Sequence, residues 1–301
     1  MKYLVICIAT IALISCSSAQ KKNQAEESPE VKRDVKTELL WESDSTLRTP
    51  ESVLVEEGRN VIYVSNMNLD WPENSGHGFI SRLGMDGNIM DLKWVTGLNG
   101  PKGMGLFGDN LYVADNDELV DIDINSGKIL NKVKIEGNPG LNDVTVDDEG
   151  NVYVSGYNSN TIYKVKDGNV ETFFKGKEGE NFNGLLWEKN QMLLITSGGG
   201  TFKSINLATK DTTILARNMG HGDGIAAIGD GDYLTSDWQG EVFYIPPKGE
   251  PIRLIDTRDL DIYAADIDYS SVNNVVYVPT FYDNRVKAYK LITNLTPNDS
   301  E

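Results

Sequence analysis

Residues able to do chemistry recur along this 301-residue chain at a regular step: Glu51, Asn142, Asn183 and Asp223. They belong to a set of six equivalent positions, 51, 102, 142, 183, 223 and 265, separated by 51, 40, 41, 40 and 42 residues. The six read Glu51, Lys102, Asn142, Asn183, Asp223 and Ala265. Four of them offer side-chain oxygen, as two carboxylates and two amide carbonyls. Drawn together, such a set suits a hard divalent cation, Ca²⁺ first among them, because all-oxygen ligation with two negative charges neutralises carboxylates that otherwise repel. Zinc fits poorly, since His77 and His221 are the only histidines and lie at unrelated points of the repeat. Asn and Asp also favour the turn before a strand, which gives part of this enrichment a purely structural source. Lys102 has two readings that the residues leave open. It orients an anionic substrate, or it pairs with Glu51 or Asp223 to offset buried charge.

Distant residues can converge only if the fold closes on itself, and the surrounding pattern points that way. After each of the six positions, apolar residues follow at two and at four, as in Val53 and Val55, Val144 and Val146, or Ile267 and Tyr269. Period two is the mark of a strand. Turn residues come next, such as Asp148-Glu149-Gly150, and then a second strand at 61–66, 111–115, 152–156, 192–197, 233–237 and 275–280. Third and fourth strands follow in most repeats. The expected fold is all-β, a six-bladed β-propeller with four antiparallel strands per blade. The long first step reflects an insertion, Asn68 to His77. The last repeat lacks a fourth strand of its own, and the stretch around Leu39, Leu40 and Trp41 can complete it, closing the ring without exposed edges. In a propeller the innermost strands line a central channel, so positions forty apart in sequence become neighbours.

Across residues 37–301 the chain resembles the SMP-30/gluconolactonase-like propellers, which include diisopropylfluorophosphatase and paraoxonase relatives. PESVLVEEGRNVIYVSN (50–66), LNDVTVDDEGNVYVSGYNSNTIYKV (141–165), FNGLLW (182–187) and DGIAAIGDGDYLTSD (223–237) carry the resemblance. It implies that Glu51, Asn142, Asn183 and Asp223, from blades 1, 3, 4 and 5, hold a catalytic divalent metal. It also implies hydrolysis of a lactone or related ester, and on that reading Asp223 is expected as ligand and general base, with His221 and, on one of its two open readings, Lys102 as candidate substrate contacts. Two positions depart from the pattern. Gly140 stands where the gluconolactonase branch places a substrate-binding arginine. His221, two before Asp223, is the one counterpart of the histidines that other branches keep near the metal.

The N-terminus carries an address. Lys2 precedes a nearly continuous apolar run from Tyr3 to Ile14, too short to span a bilayer, which takes about 20 residues. Leu13-Ile14-Ser15-Cys16 resembles the lipobox of bacterial lipoproteins, which implies cleavage after Ser15 and lipidation of Cys16. The expected organisation is a signal over residues 1–15, a lipidated cysteine and polar tether over 16–36, and the propeller over 37–301. The protein is then a monomer of the cell envelope, expected at the outer membrane and touching membrane through its lipid only. Loss of Lys2, the one charge in residues 1–15, takes the formal net charge from −17 to −18. So acidic a surface repels phosphate backbones and argues against nucleic acid as partner. Cys7 leaves with the signal, so the mature domain keeps no free thiol for catalysis and no disulfide. The partner is then a small molecule. A non-catalytic binding propeller, with Trp71, His77, Trp238 and Tyr282 as a recognition rim, is the competing reading, because fold alone does not set function.

Overall fold

Each repeat folds as one four-stranded antiparallel sheet, and there are six such sheets. The computed structural model describes residues 31–71 and 74–297, and residues 34–294 form one compact body. The signal segment, Cys16 and residues 17–30 lie outside the described residues.

The innermost strands are Pro50–Glu56, Pro101–Phe107, Leu141–Val146, Phe182–Glu188, Gly222–Gly229 and Asp268–Ser270. Each touches the next, and the last touches the first, so the strands form a closed ring. Two features seal blade 6 to blade 1 at the centre. Asp266 N–H donates to the Glu51 carbonyl at 2.9 Å, and Val55 N–H donates to the Asp268 carboxylate at 2.8 Å. At the periphery the N-terminal strand Val31–Glu42 pairs with Val286–Pro297, supplying the fourth strand of blade 6. The strand takes in residues 31–36, which by composition read as tether. Val35 packs into the slab between blades 5 and 6, but one buried valine amid charged neighbours leaves the strand hard to read from composition.

The core is not one mass but six slabs, each between neighbouring blades. Between blades 1 and 2, Tyr63, Ile80, Val95 and Leu98 meet Met104, Leu111, Val113 and Ile122. Comparable clusters fill the other five gaps. Strands buried on both faces, such as Val61–Asn66, are what such packing demands, since each sheet is covered twice. The Gly198-Gly199-Gly200 run is a turn between Gln191–Thr196 and Thr201–Asn206, as its setting between strands implies.

A bulge sits at the head of five innermost strands. In blade 3, Leu141 pairs with Gly156 and Val144 with Val154, so three steps on one strand match two on the other. The same extra residue occurs between Pro50 and Ser52, Pro101 and Met104, Phe182 and Leu185, and Gly222 and Ile225. Each bulge falls at the repeat position that carries Glu51, Lys102, Asn142, Asn183 or Asp223. An extra residue breaks the ladder and re-aims the side chain, here away from the inter-blade slab and toward the axis.

Candidate metal centre

Second-strand serines fix the backbone at these bulges. Ser155 Oγ accepts the Asp143 N–H at 2.9 Å and donates to the Asn183 carbonyl at 2.7 Å. Ser236 Oγ does the same between Gly224 N–H and the Ala265 carbonyl, both at 2.8 Å. One blade's hydroxyl therefore holds the next blade's ring residue. Glycines allow the blades to approach. A Cβ on Gly184 would lie 2.0 Å from the Asp223 carbonyl oxygen, and one on Gly224 would lie 2.4 Å from Ile267 nitrogen.

The result is a single cavity of about 310 Å³ at the axis, lined by Glu51, Asn142, Asn183 and Asp223. All four are buried, with exposures of 5%, 9%, 6% and 3%. Among the described residues, four buried side-chain atoms lack any hydrogen-bond partner. They are Glu51 Oε2, Asn142 Oδ1, Asn183 Oδ1 and Asp223 Oδ1. An unmet buried acceptor costs about 1–3 kcal/mol, and more when charged. Four such acceptors lining one cavity suit an electropositive partner. Two carboxylate and two amide oxygens fit a hard dication by donor chemistry. No three His, Cys, Asp or Glu side chains gather as a metal group among the described residues. The set is half amide, which such a count does not see.

Charge tells the same story. Burial raises the Glu51 carboxyl well above the usual carboxylate range, the negative charge of Asp223 adds to this, and Lys102 partly offsets it. Asp223 is likewise raised by burial, then by Asp266 and Asp237. Two further acids, Asp143 and Asp266, adjoin the ring residues in sequence and are also buried. Burial pushes Asp143 up to about 7. Each has hydrogen-bond partners within the protein. Asp143 accepts from the Val144 and Leu185 N–H groups at 2.6 Å, and Asp266 accepts from Ser52 Oγ at 2.6 Å.

Both residues expected to touch substrate line the same cavity. His221 is exposed at its edge, and Lys102 is half-buried. Lys102 Nζ donates to the Gly100 carbonyl at 3.4 Å and to Asn116 Oδ1 at 3.2 Å, and among the described residues it forms no ion pair with Glu51 or Asp223. Of the four rim aromatics, Trp238 lines the cavity. Trp71 and His77 stack on each other at 4.1 Å outside it, and Tyr282 stands behind Phe281 with ring centres 4.7 Å apart.

Met67, Tyr157, Ser197 and Phe281, which the repeat of polar positions does not single out, complete the wall. The sequence does hold a signal for them. With Trp238, they stand just past the second strand of their blades, 14 to 16 residues beyond positions 51, 142, 183, 223 and 265. Phe281 has φ +51°, an uncommon conformation for a bulky residue. It is held there by Trp238 and Tyr263, with ring centres 5.5 and 6.3 Å away. A larger polar groove of about 920 Å³ lies at Glu188–Gln191 and Asn206 of blade 4, but holds none of the orphan atoms.

Similar architectures are known. A protein assigned as a gluconolactonase superposes with TM-score 0.65 at 13% identity, over 87% of this chain and 93% of that one. A catalytically inactive variant of virginiamycin B lyase from Staphylococcus aureus, bound to quinupristin, gives 0.60 at 12% identity over 87% and 100%. A streptogramin B lyase gives 0.61 at 12% over 87% and 98%. This chain shares their fold. At such identity the likeness reaches no further than architecture. No family model and no curated protein matches the sequence.

Proposed function

We propose that the protein is a divalent-metal-dependent hydrolase of lactones or related esters, a relative of the SMP-30/gluconolactonase-like enzymes. One observation carries the reading: the four buried acceptors without partners are the four residues singled out by the repeat. Glu51, Asn142, Asn183 and Asp223 would hold the cation, Ca²⁺ by donor type. When bound, it supplies Lewis-acid polarisation of the carbonyl and charge stabilisation for the developing oxyanion.

The chain's own groups do the rest. Asp223 takes the proton from the attacking water, a role suited to a carboxylate whose buried setting raises its proton affinity. Trp238, Phe281 and Met67 form an apolar wall that limits water at the reacting carbon. Tyr157, Lys102 and His221 lie where the remainder of the substrate must pass.

A panel of lactones and esters assayed with added Ca²⁺ and with chelator tests this. Turnover of at least one member, abolished by chelator and restored by Ca²⁺, is expected. Calcium binding with no turnover of any member would instead favour a non-catalytic binding propeller.

We further infer a lipid-anchored protein of the cell envelope, at the outer membrane, from the Leu13–Cys16 motif. Among the described residues no helix is long and apolar enough to cross a membrane. Cys16→Ser should abolish incorporation of labelled palmitate and release the protein from the membrane fraction. Retained label would overturn the assignment.

A further inference from the structure

A second cleft of about 430 Å³ opens beside the axial cavity, between blades 2 and 3, and shares Lys102, Asn142 and Tyr157 with it. Its remaining wall is rich in side-chain amides, including Asn116, Asn138 and Asn158. We propose that this cleft is a carboxylate-binding subsite with Lys102 as its counter-ion. The substrate class is then esters or lactones that carry one carboxylate apart from the reacting carbonyl. This deepens the hydrolase reading and rests on it for the word substrate, though not for the binding itself.

The case begins with what faces the ammonium. Lys102 Nζ is bonded to two neutral acceptors, the Gly100 carbonyl and Asn116 Oδ1. Asn116 passes the polarity on, donating from Nδ2 to Asn74 Oδ1 at 2.9 Å. The ammonium is thus aimed by neutral groups, and it has three hydrogens with two committed.

The nearby acids act on Lys102 only at a distance, and their direct contacts are to other groups. Asp115 accepts the Asn99 and Gly100 N–H groups, at 2.6 to 3.0 Å, and has Lys132 at 4.0 Å. Asp117, the carboxylate on the cleft wall, has Lys134 at 3.5 Å. Glu51 and Asp223 belong to the metal set at the axis. Lys102 feels the charges of Glu51 and Asp115 at longer range, but among the described residues no carboxylate bonds its ammonium directly. A carboxylate brought into the cleft supplies that direct contact, and charge-assisted hydrogen bonds are about twice as strong as neutral ones.

Charge also sets the valence. The chain's net charge of −17 and two axial carboxylates weigh against a dianion such as a phosphate monoester. One carboxylate answers one ammonium. Amide side chains donate to its second oxygen or to neighbouring hydroxyls, whereas a wholly neutral polyol would leave the cation uncompensated.

Ligand-observed NMR titrations on the calcium-loaded protein test this with monomethyl glutarate and its neutral counterpart, dimethyl glutarate. The monoester should bind wild type at least about tenfold tighter, the lower range of a charged hydrogen bond. Lys102→Met should erase the preference and Lys102→Arg should keep most of it. Asn116→Asp, which sets a carboxylate against Lys102, should erase it too and covers the case in which the Met variant does not fold. Preference retained in both Lys102→Met and Asn116→Asp would place the carboxylate on the metal and overturn the subsite. So would equal binding of the two esters by wild type. Lys102-dependent binding alongside no turnover of any member of the lactone and ester panel would support the subsite while counting against the hydrolase.

Discussion

Asp223→Asn is expected to lower hydrolysis by about 10²–10⁴-fold, the scale of losing a positioned general base. It should also remove measurable calcium affinity. Less obviously, the same change should stabilise the metal-free protein. Asp223 is buried, its Oδ1 has no partner, and neighbouring acids repel its charge. Replacing a buried unpaired charge by a neutral isostere relieves that cost.

The sign with pH follows. The folded state holds the Asp223 proton more tightly than the unfolded chain does, so the stability this contributes is full at low pH. It is lost as pH rises from the ordinary carboxylate range near 3.8 toward the raised folded value. Metal-free wild type and Asp223→Asn should therefore melt alike near pH 4 and diverge as pH rises, the variant melting higher. Saturating calcium should reverse the order, because only wild type gains from binding, by about 2.7 kcal/mol at a hundredfold excess over Kd. Thermal melts across pH, with chelator and with calcium, check both halves. A variant less stable than metal-free wild type at neutral pH would mean that Asp223 is already compensated without metal.

The second large effect comes from a residue with no side chain. Gly184 lies in the innermost strand of blade 4, and an added Cβ would stand 2.0 Å from the Asp223 carbonyl and 2.9 Å from Ile195 Cγ2. The carbonyl is backbone and cannot swing aside. Gly184→Ala should thus cost near the upper end of the ~1–3 kcal/mol of overpacking. It should also weaken calcium binding, though alanine removes no ligand, because the backbone that must move carries Asp223. Denaturant midpoints and calcium titration would show both losses together. Wild-type stability with wild-type calcium affinity would contradict the close inter-blade approach.

Much of the fold and of the axial site is legible in the amino-acid sequence. Alternation after Glu51, Asn142 or Asp223 marks strands because successive side chains point to opposite faces of a sheet, and the forty-residue step marks blades because each blade is one four-stranded unit. The oxygen set is legible for the same reason, since ring closure turns sequence periodicity into proximity. The bulges are not. They insert one residue at Asn142-Asp143 or Gly222-Gly224 without breaking the apolar pattern that follows, so composition carries no trace of them. Residues 31–36 are hidden because Val35, which reaches the core, is surrounded by charged residues. The direction of Lys102 is hidden too, because Asn116 is fourteen residues away and its carbonyl competes with carboxylates only through geometry. Phe281 and Tyr157 emerge when the residues just past each second strand are aligned, as the ring residues do at the head of each first strand.

Anomalous diffraction from crystals grown with calcium, or with a lanthanide in its place, puts the central claim to its most direct test. One strong peak is expected on the axis, within about 2.3–2.6 Å of Glu51, Asn142, Asn183 and Asp223 oxygens for calcium. A cavity without a peak at saturating ion, or a peak bound elsewhere while those four oxygens face only water, would contradict it.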